Sequence, residues 1–291
     1  MNSRLLNQYE EVTYSALQKA CFSNGAKVFP KVRVGDVFPL AGSGISPEHY
    51  SYGLRAHFDF LVTNSDYMPL FSVEFDGPVH KTSSIQRARD RLKNDLCERF
   101  SHGLLRVNSN YLTRRYRGLD LLSYFVDAWF LEEAFYEAQK SGSVPYDEPF
   151  DMTFFFTDGS DSSKKWPYWL SLDIQLALQK LHKSGQIGQM APSHYVGKDT
   201  EGNYRCLTWV VLDRASVVYA TTGMRAQLFS AVDKSDLISM IAMFDLYENI
   251  KRALAGDLSL LCDRRSFFAD RQPRFERTYG MVSAASCGAT V

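Results

Sequence analysis

Val12, Ala16, Leu17 and Ala20 recur at helical spacing and predict a helix over residues 9–22 with one apolar face. Residues 28–37 are short, β-branched and interrupted by Pro30, which predicts an edge or lead-in strand. Residues 41–53 are rich in Gly, Ser and Pro and read as a loop. Apolar and polar positions then alternate over residues 58–62 and 70–76. The Asn64-Ser65-Asp66 turn between them predicts a hairpin. Ser83 or Ser84 is placed to cap a helix running to about Phe100, with Gly103 as its C-terminal glycine. Residues 104–107 read as a short buried strand, and residues 119–139 as a long amphipathic helix ending near Gly142.

Residues 141–150 hold Gly, Ser and two prolines and read as a linker. Beyond it the pattern predicts a strand at 152–156, a helix at 170–183 and a hairpin of 205–212 with 216–221 turning at Asp213-Arg214. A helix capped by Ser235 and running to Leu254 follows. The expected organisation is an α/β domain at 1–140 with a mixed sheet between helices, the linker, a smaller α+β domain at 151–282, and a loose tail at 283–291.

Composition changes little. No run of about 18 apolar residues predicts a membrane span. The N-terminus lacks a secretory pattern. Five scattered cysteines with no CxxC pair argue against a disulfide framework or structural zinc, and favour a reducing, cytoplasmic compartment. The balanced net charge hides two blocks. Residues 81–117 carry ten Lys/Arg against three Asp/Glu, and residues 118–161 carry ten Asp/Glu against one Lys. These blocks fit either a nucleic-acid footprint or two faces that neutralise one another.

Candidate chemistry gathers on the hairpin. Glu74 and Asp76 fall on one side of their strand and Val73 and Phe75 on the other. Asp59 interrupts an apolar alternation on the neighbouring strand, so three carboxylates are expected at one end of a sheet. Carboxylate oxygens of that kind suit Mg²⁺ or Mn²⁺. His80 follows a Gly77-Pro78 turn and is placed beside them for proton transfer. Gln86, Arg89, Asp90 and Lys93 share one face of the next helix. Each piece has a plainer reading: a solvated edge strand, a surface histidine, a charged helix face. Arg114, Arg115 and Arg117 could grip a phosphate backbone with Tyr111 and Tyr116 stacking on bases, or form a loop rim balanced by the acidic block. Lys164-Lys165-Trp166 and Tyr168-Trp169 mix bases with aromatics, as a nucleic-acid contact or a core edge would.

The ordered set Asp59, Glu74-Phe75-Asp76-Gly77, His80, Gln86, Arg89-Asp90, Lys93 and Leu105-Arg106-Val107 resembles the PD-(D/E)XK (restriction-endonuclease-like) phosphodiesterase superfamily. Upstream, Glu11, Tyr14, Leu17 and residues 28–37 fit it too. More narrowly it resembles an uncharacterised bacterial domain family of that superfamily, related to the very-short-patch repair endonucleases. The resemblance covers about the first 110 residues. It implies a restriction-endonuclease-like sheet and a metal-dependent endonuclease acting on nucleic acid, DNA first. Asp59 and Glu74 would be the metal ligands, aided by Glu11. The tripeptide lysine should fall at position 76, where this chain has Asp76. Lys93 or His80 would then take its role, with Asp76 a further ligand. Apart from the resemblance, the residues expected to meet the nucleic acid are Gln86, Arg89, Arg114, Arg115 and Arg117. Without a substitute for the lysine, the domain would be an inactive nucleic-acid-binding module. A third reading is a protein-interaction component of a bacterial defence or mobile-element system, with a protein partner or self-association through the second domain.

Overall fold

The computed structural model describes residues 4–77, 84–154, 169–270 and 275–281. The tail at 283–291 and the aromatic-basic stretch at 164–168 lie outside them. Two compact units emerge. The first comprises 1–115, 119–150 and 227–232; the second comprises 116–118, 151–226 and 233–291. Residues 145 and 148, inside the expected linker, belong to the first unit: Gln139 Nε2 donates to both their carbonyls at 2.9 Å.

The first unit opens with α1 (Gln8–Phe22), β1 (Lys27–Arg33), the single turn α2 (Val34–Val37) and α3 (Pro47–Arg55). The hairpin β2 (His57–Thr63) and β3 (Pro69–Phe75) follows, then α4 (Ser84–Arg99), β4 (Gly103–Val107) and α5 (Leu121–Lys140). The sheet runs β1-β2-β3-β4. Its first three strands are antiparallel, and β4 returns parallel to β3. This is a mixed sheet, and β1 is its edge, where Pro30 is tolerated. On one face, Phe38, Phe58, Leu96, Cys97 and Leu104 form a cluster under α3 and α4. On the other, α1 and α5 pack together: Tyr9 stacks on Phe75, Tyr14 on Phe60, and Trp129 meets Phe71.

Several details differ from the sequence pattern. α1 buries Thr13, Leu17 and Cys21, while Val12 is exposed. Half of the expected loop at 41–53 is helix: Ser46 Oγ accepts from His49 N at 3.2 Å, and Pro47 opens the first turn. Gly103 is not a helix cap. Ser101 takes the left-handed conformation after α4, at φ 51°. Gly103 instead lies in β4, where a Cβ would stand 3.0 Å from Trp129 Cζ3 and 3.1 Å from Phe71 Cβ.

The second unit holds α6 (Leu172–Lys183), β5 (Ser193–Lys198), β6 (Tyr204–Val211), β7 (Ser216–Met224), α7 (Lys234–Leu254), β8 (Cys262–Asp263), α8 (Arg264–Asp270) and β9 (Glu276–Met281). They form an antiparallel sheet in the order β8-β7-β6-β5-β9. α6 and α7 cover one face through Leu178, Val210, Val218 and Leu246. Phe267 of α8 packs on Trp209 on the other. Of the expected strand at 152–156, residues 152–154 form a 3-10 turn and the rest lie outside the described residues. Asp233, not Ser235, caps α7, accepting from the backbone N–H groups of Ser235 and Asp236. Among the described residues no helix is long and apolar enough to cross a membrane.

Two outcomes follow from the first unit's packing. Gly103→Ala should destabilise the protein by about 1–3 kcal/mol in urea unfolding, because the new methyl meets Phe71 next to its backbone. His102 Nε2 and Ser72 Oγ are hydrogen-bonded at 2.8 Å, and burial pushes the imidazole down to about 4 from 6.5. The unfolded chain takes up this proton below about pH 6.5 and the folded chain does not until about pH 4. The contribution is therefore full above pH 6.5 and lost as pH falls toward 4. His102→Gln should reduce the drop in unfolding free energy between pH 7 and pH 5 by roughly 1–2 kcal/mol.

Candidate active site

A glutamate on the α4 side of a central strand must find a cation or lose its charge. Glu74 lies on β3 with its side chain 12% exposed, and Lys93 of α4, 9% exposed, places Nζ 2.7 Å from Glu74 Oε2. The same ammonium donates to the His57 carbonyl at 2.8 Å. Burial pushes the Glu74 carboxyl above the ordinary carboxylate range; Lys93 opposes this, and the Asp59 carboxylate adds to it.

Asp59 lies across from Glu74 and is bound into the strands themselves. Its backbone N–H donates to Glu74 Oε1 at 3.2 Å, and its Oδ2 accepts from Phe75 N at 3.0 Å. The sheet is irregular here. Phe58 packs on Phe38 and His102 on the α4 face, whereas Phe60, two residues on, stacks on Tyr14 of α1. In a regular strand both would share a face, so the apolar alternation expected around Asp59 breaks at Asp59. Opposite it, Lys31 of β1 has φ 56°. Lys31 Nζ lies 2.7 Å from Asp59 Oδ1 and 2.8 Å from Glu10 Oε1. Burial works against the Lys31 ammonium, but its bonds to Asp59 and Glu10 outweigh it and hold its pKa above the ordinary value.

A second cluster adjoins the first. Arg106 of β4 pairs in register with Glu74. Its guanidinium is almost fully buried, 3.6 Å from Asp76 Oδ1, 3.5 Å from Asp90 Oδ1 and 2.9 Å from Asn94 Oδ1. Gln86 Nε2 donates to Asp90 at 3.0 Å. Gln86, Asp90, Lys93 and Asn94 thus form one face of α4 turned to the sheet.

This arrangement amends the expected site. Asp59, Glu74 and Lys93 come together. Asp76 does not join the other two carboxylates as a ligand; it turns to Arg106. Glu11 is 52% exposed and pairs with Arg4 at 3.1 Å, while its neighbour Glu10, 13% exposed, reaches the site through Lys31. Arg89, Arg114 and Arg115 are exposed. Arg117 belongs to the second unit, where its side chain is held by Asp173 at 3.3 Å and the Trp169 carbonyl at 3.3 Å, so it is not a free phosphate grip. Tyr111 and Tyr116 are buried, against Phe125 and Phe244 respectively, and do not offer faces to bases. His80 lies outside the described residues.

The donors suit a hard cation in kind. Asp59 and Glu74 supply only oxygens, and Mg²⁺ is commonly held by one or two carboxylates with water completing its shell. Among the described residues no group of three or more His, Cys, Asp or Glu is gathered for a metal. The pair therefore meets the lower end of what Mg²⁺ or Mn²⁺ requires. Sequence reasoning missed Glu10, Lys31, Asn94 and Arg106 as site residues. A charged residue inside the apolar run 104–107 was the signal for Arg106.

Lys93→Met would leave Glu74 buried without its closest cation. It should cost about 3–5 kcal/mol in unfolding free energy, and the double variant Glu74→Gln/Lys93→Met should recover at least half of that. A double-variant loss equal to the sum of the Glu74→Gln and Lys93→Met losses would show that the pair is not coupled.

Residues 2–118 match a protein family described as "Protein of unknown function (DUF2726)". No curated protein and no solved structure matches the chain.

Proposed function

We propose that the first unit is a metal-dependent endonuclease that hydrolyses phosphodiester bonds of nucleic acid, with DNA as its substrate. One observation carries this reading: the Lys93 ammonium sits 2.7 Å from Glu74, beside Asp59. The PD-(D/E)XK resemblance asks for a lysine next to those two carboxylates, and position 76 holds an aspartate instead. A helix lysine at the same carboxylate supplies the ammonium from another element. The mixed sheet between helices fits the restriction-endonuclease-like architecture that the resemblance implies.

Asp59 and Glu74 would hold a Mg²⁺ or Mn²⁺ ion, which when bound would neutralise the phosphate and acidify a water. The chain's own residues prepare that place. Lys93 is fixed by the His57 carbonyl and balances Glu74. Arg106, braced by Asp76, Asp90 and Asn94, adds positive charge beside Glu74. Charge already set in position costs no reorganisation during the reaction.

A second reading has its own support. All four oxygens of Asp59 and Glu74 already meet protein donors: Lys31 and Phe75 N for Asp59, Asp59 N and Lys93 for Glu74. That satisfied network suits a nuclease fold that binds nucleic acid without cutting it.

Wild type and Glu74→Ala, incubated with supercoiled plasmid and with single-stranded DNA in Mg²⁺, Mn²⁺ or EDTA, separate the two. Cleavage by wild type should require the metal and fall by about 100-fold or more in Glu74→Ala. Intact DNA binding with no cleavage in any metal would sink the hydrolytic reading and leave the binding module.

A further inference from the structure

Among the described residues Lys31 forms an ion pair with Asp59, and the proposed reaction has assigned it no task. Its backbone stands at φ 56° in the left-handed region, where a residue with a Cβ costs roughly 1–2 kcal/mol. Glycine would adopt that conformation freely; what lysine adds is an ammonium on a long stem. That ammonium is held at 2.8 Å by Glu10 and at 2.7 Å by Asp59.

The two lysines of the site differ in reach. Lys93 has 9% of its side chain exposed and is locked between Glu74 and the His57 carbonyl. Lys31 has 27% exposed and stands on the edge strand. An ammonium has three donors, and the two carboxylates take two of Lys31's.

We propose that Lys31, not Lys93, contacts a phosphate oxygen of the bound nucleic acid, with Glu10 and Asp59 as the cradle that aims it. Lys93 is then a positioning residue that holds Glu74. This inference rests on reading the site as one for phosphodiesters. Two carboxylates around one ammonium leave the trio net negative. The contact therefore forms when a divalent cation shares Asp59, and not in its absence.

The test uses the full chain and a labelled DNA duplex, with affinity measured by fluorescence anisotropy across a salt series in Ca²⁺ and in EDTA. Lys31→Met and Lys31→Gly are compared with wild type and with Lys27→Met. Lys27 lies on the same strand, over the Tyr67 ring at 3.5 Å and bonded to the Ser65 carbonyl. Lys31→Gly keeps the test valid if the methionine variant folds poorly, because glycine accepts φ 56°. In Ca²⁺, both Lys31 variants should bind several-fold more weakly, with a log–log salt slope smaller by about 0.9, the value of one phosphate contact. In EDTA all four proteins should share one slope. In Mg²⁺, Lys31→Gly should lower kcat for cleavage, and Lys31→Arg should restore part of it.

Equal slopes in Ca²⁺ overturn the inference, and if wild type still cleaves, the hydrolytic reading survives it. A changed slope with no cleavage by wild type upholds the phosphate contact and overturns hydrolysis. A wild type that binds no DNA overturns both.

Discussion

Two buried charges, Glu74 on β3 and Arg106 on β4, decide where α4 must lie. Each would cost several kcal/mol if left without a partner under the helix. One face of α4 supplies Lys93 for Glu74, and Asp90 and Asn94 for Arg106, beside Asp59 N and Asp76 from the strands. The helix buries little else; Leu96 and Cys97 are its apolar anchors. Its rotation about its own axis is thus set by ion pairing more than by apolar area. Turning it by one residue would bring an exposed arginine, Arg91 or Arg87, toward the sheet and leave Glu74 bare. A buried network of this kind contributes little net stability, because attraction mainly offsets desolvation. What it provides is orientation. The residues that answer Glu74 and Arg106 are brought to the C-terminal ends of two parallel strands, where the candidate chemistry lies.

The other half of the site is built from irregularity. At Asp59 the strand stops alternating, and at Lys31 the edge strand turns left-handed. The two residues face each other across β1 and β2, whose register stays constant on either side. A regular ladder would commit Phe75 N to a backbone carbonyl; here it goes to the Asp59 carboxylate. Backbone strain persists only where surrounding contacts hold it, and the holders here are Glu10, itself fixed by donation from Asn7 N, and Asp59. The first turn of α1, the edge strand and the hairpin are therefore joined by polar contacts as well as by the Tyr9–Phe75 and Tyr14–Phe60 stacks.

These two origins explain what the sequence revealed. The hairpin, α4, β4 and α5 were legible because their apolar residues follow strand or helix periods and carry turn residues between them. Asp59, Glu74 and Lys93 were legible as an ordered set. α3 was obscured by the Gly, Ser and Pro before it, although Ser46-Pro47 is itself a helix start. Glu10 and Glu11 differ only in which side of α1 they take, and the capping box at Asn7 selects Glu10 for the inward side. Lys31 could not have been found by periodicity, since it acts where periodicity fails. Tyr111, Tyr116 and Arg117 looked like an exposed aromatic-basic rim. Their partners Phe125, Phe244 and Asp173 lie 14 to 128 positions away in the chain, beyond any local pattern.

The stretch that carries the site signature is also smaller than the unit that holds the site. β4 ends the sheet, and a bare strand edge leaves backbone donors and acceptors open. Residues 227–232 close it. Gln227 accepts from Arg106 N at 2.7 Å and donates to the Arg106 carbonyl at 2.8 Å, while Leu228 bridges Leu104. Phe229 then fills the space between Phe71, Phe125 and Trp129. The residue that Gln227 clamps is the arginine whose side chain braces Asp76, Asp90 and Asn94. Residues 226 and 233 on either side belong to the second unit. Backbone order at the candidate site thus depends on a short segment carried between β7 and α7, and residues 2–118 taken alone would leave both backbone groups of Arg106 without their Gln227 partner.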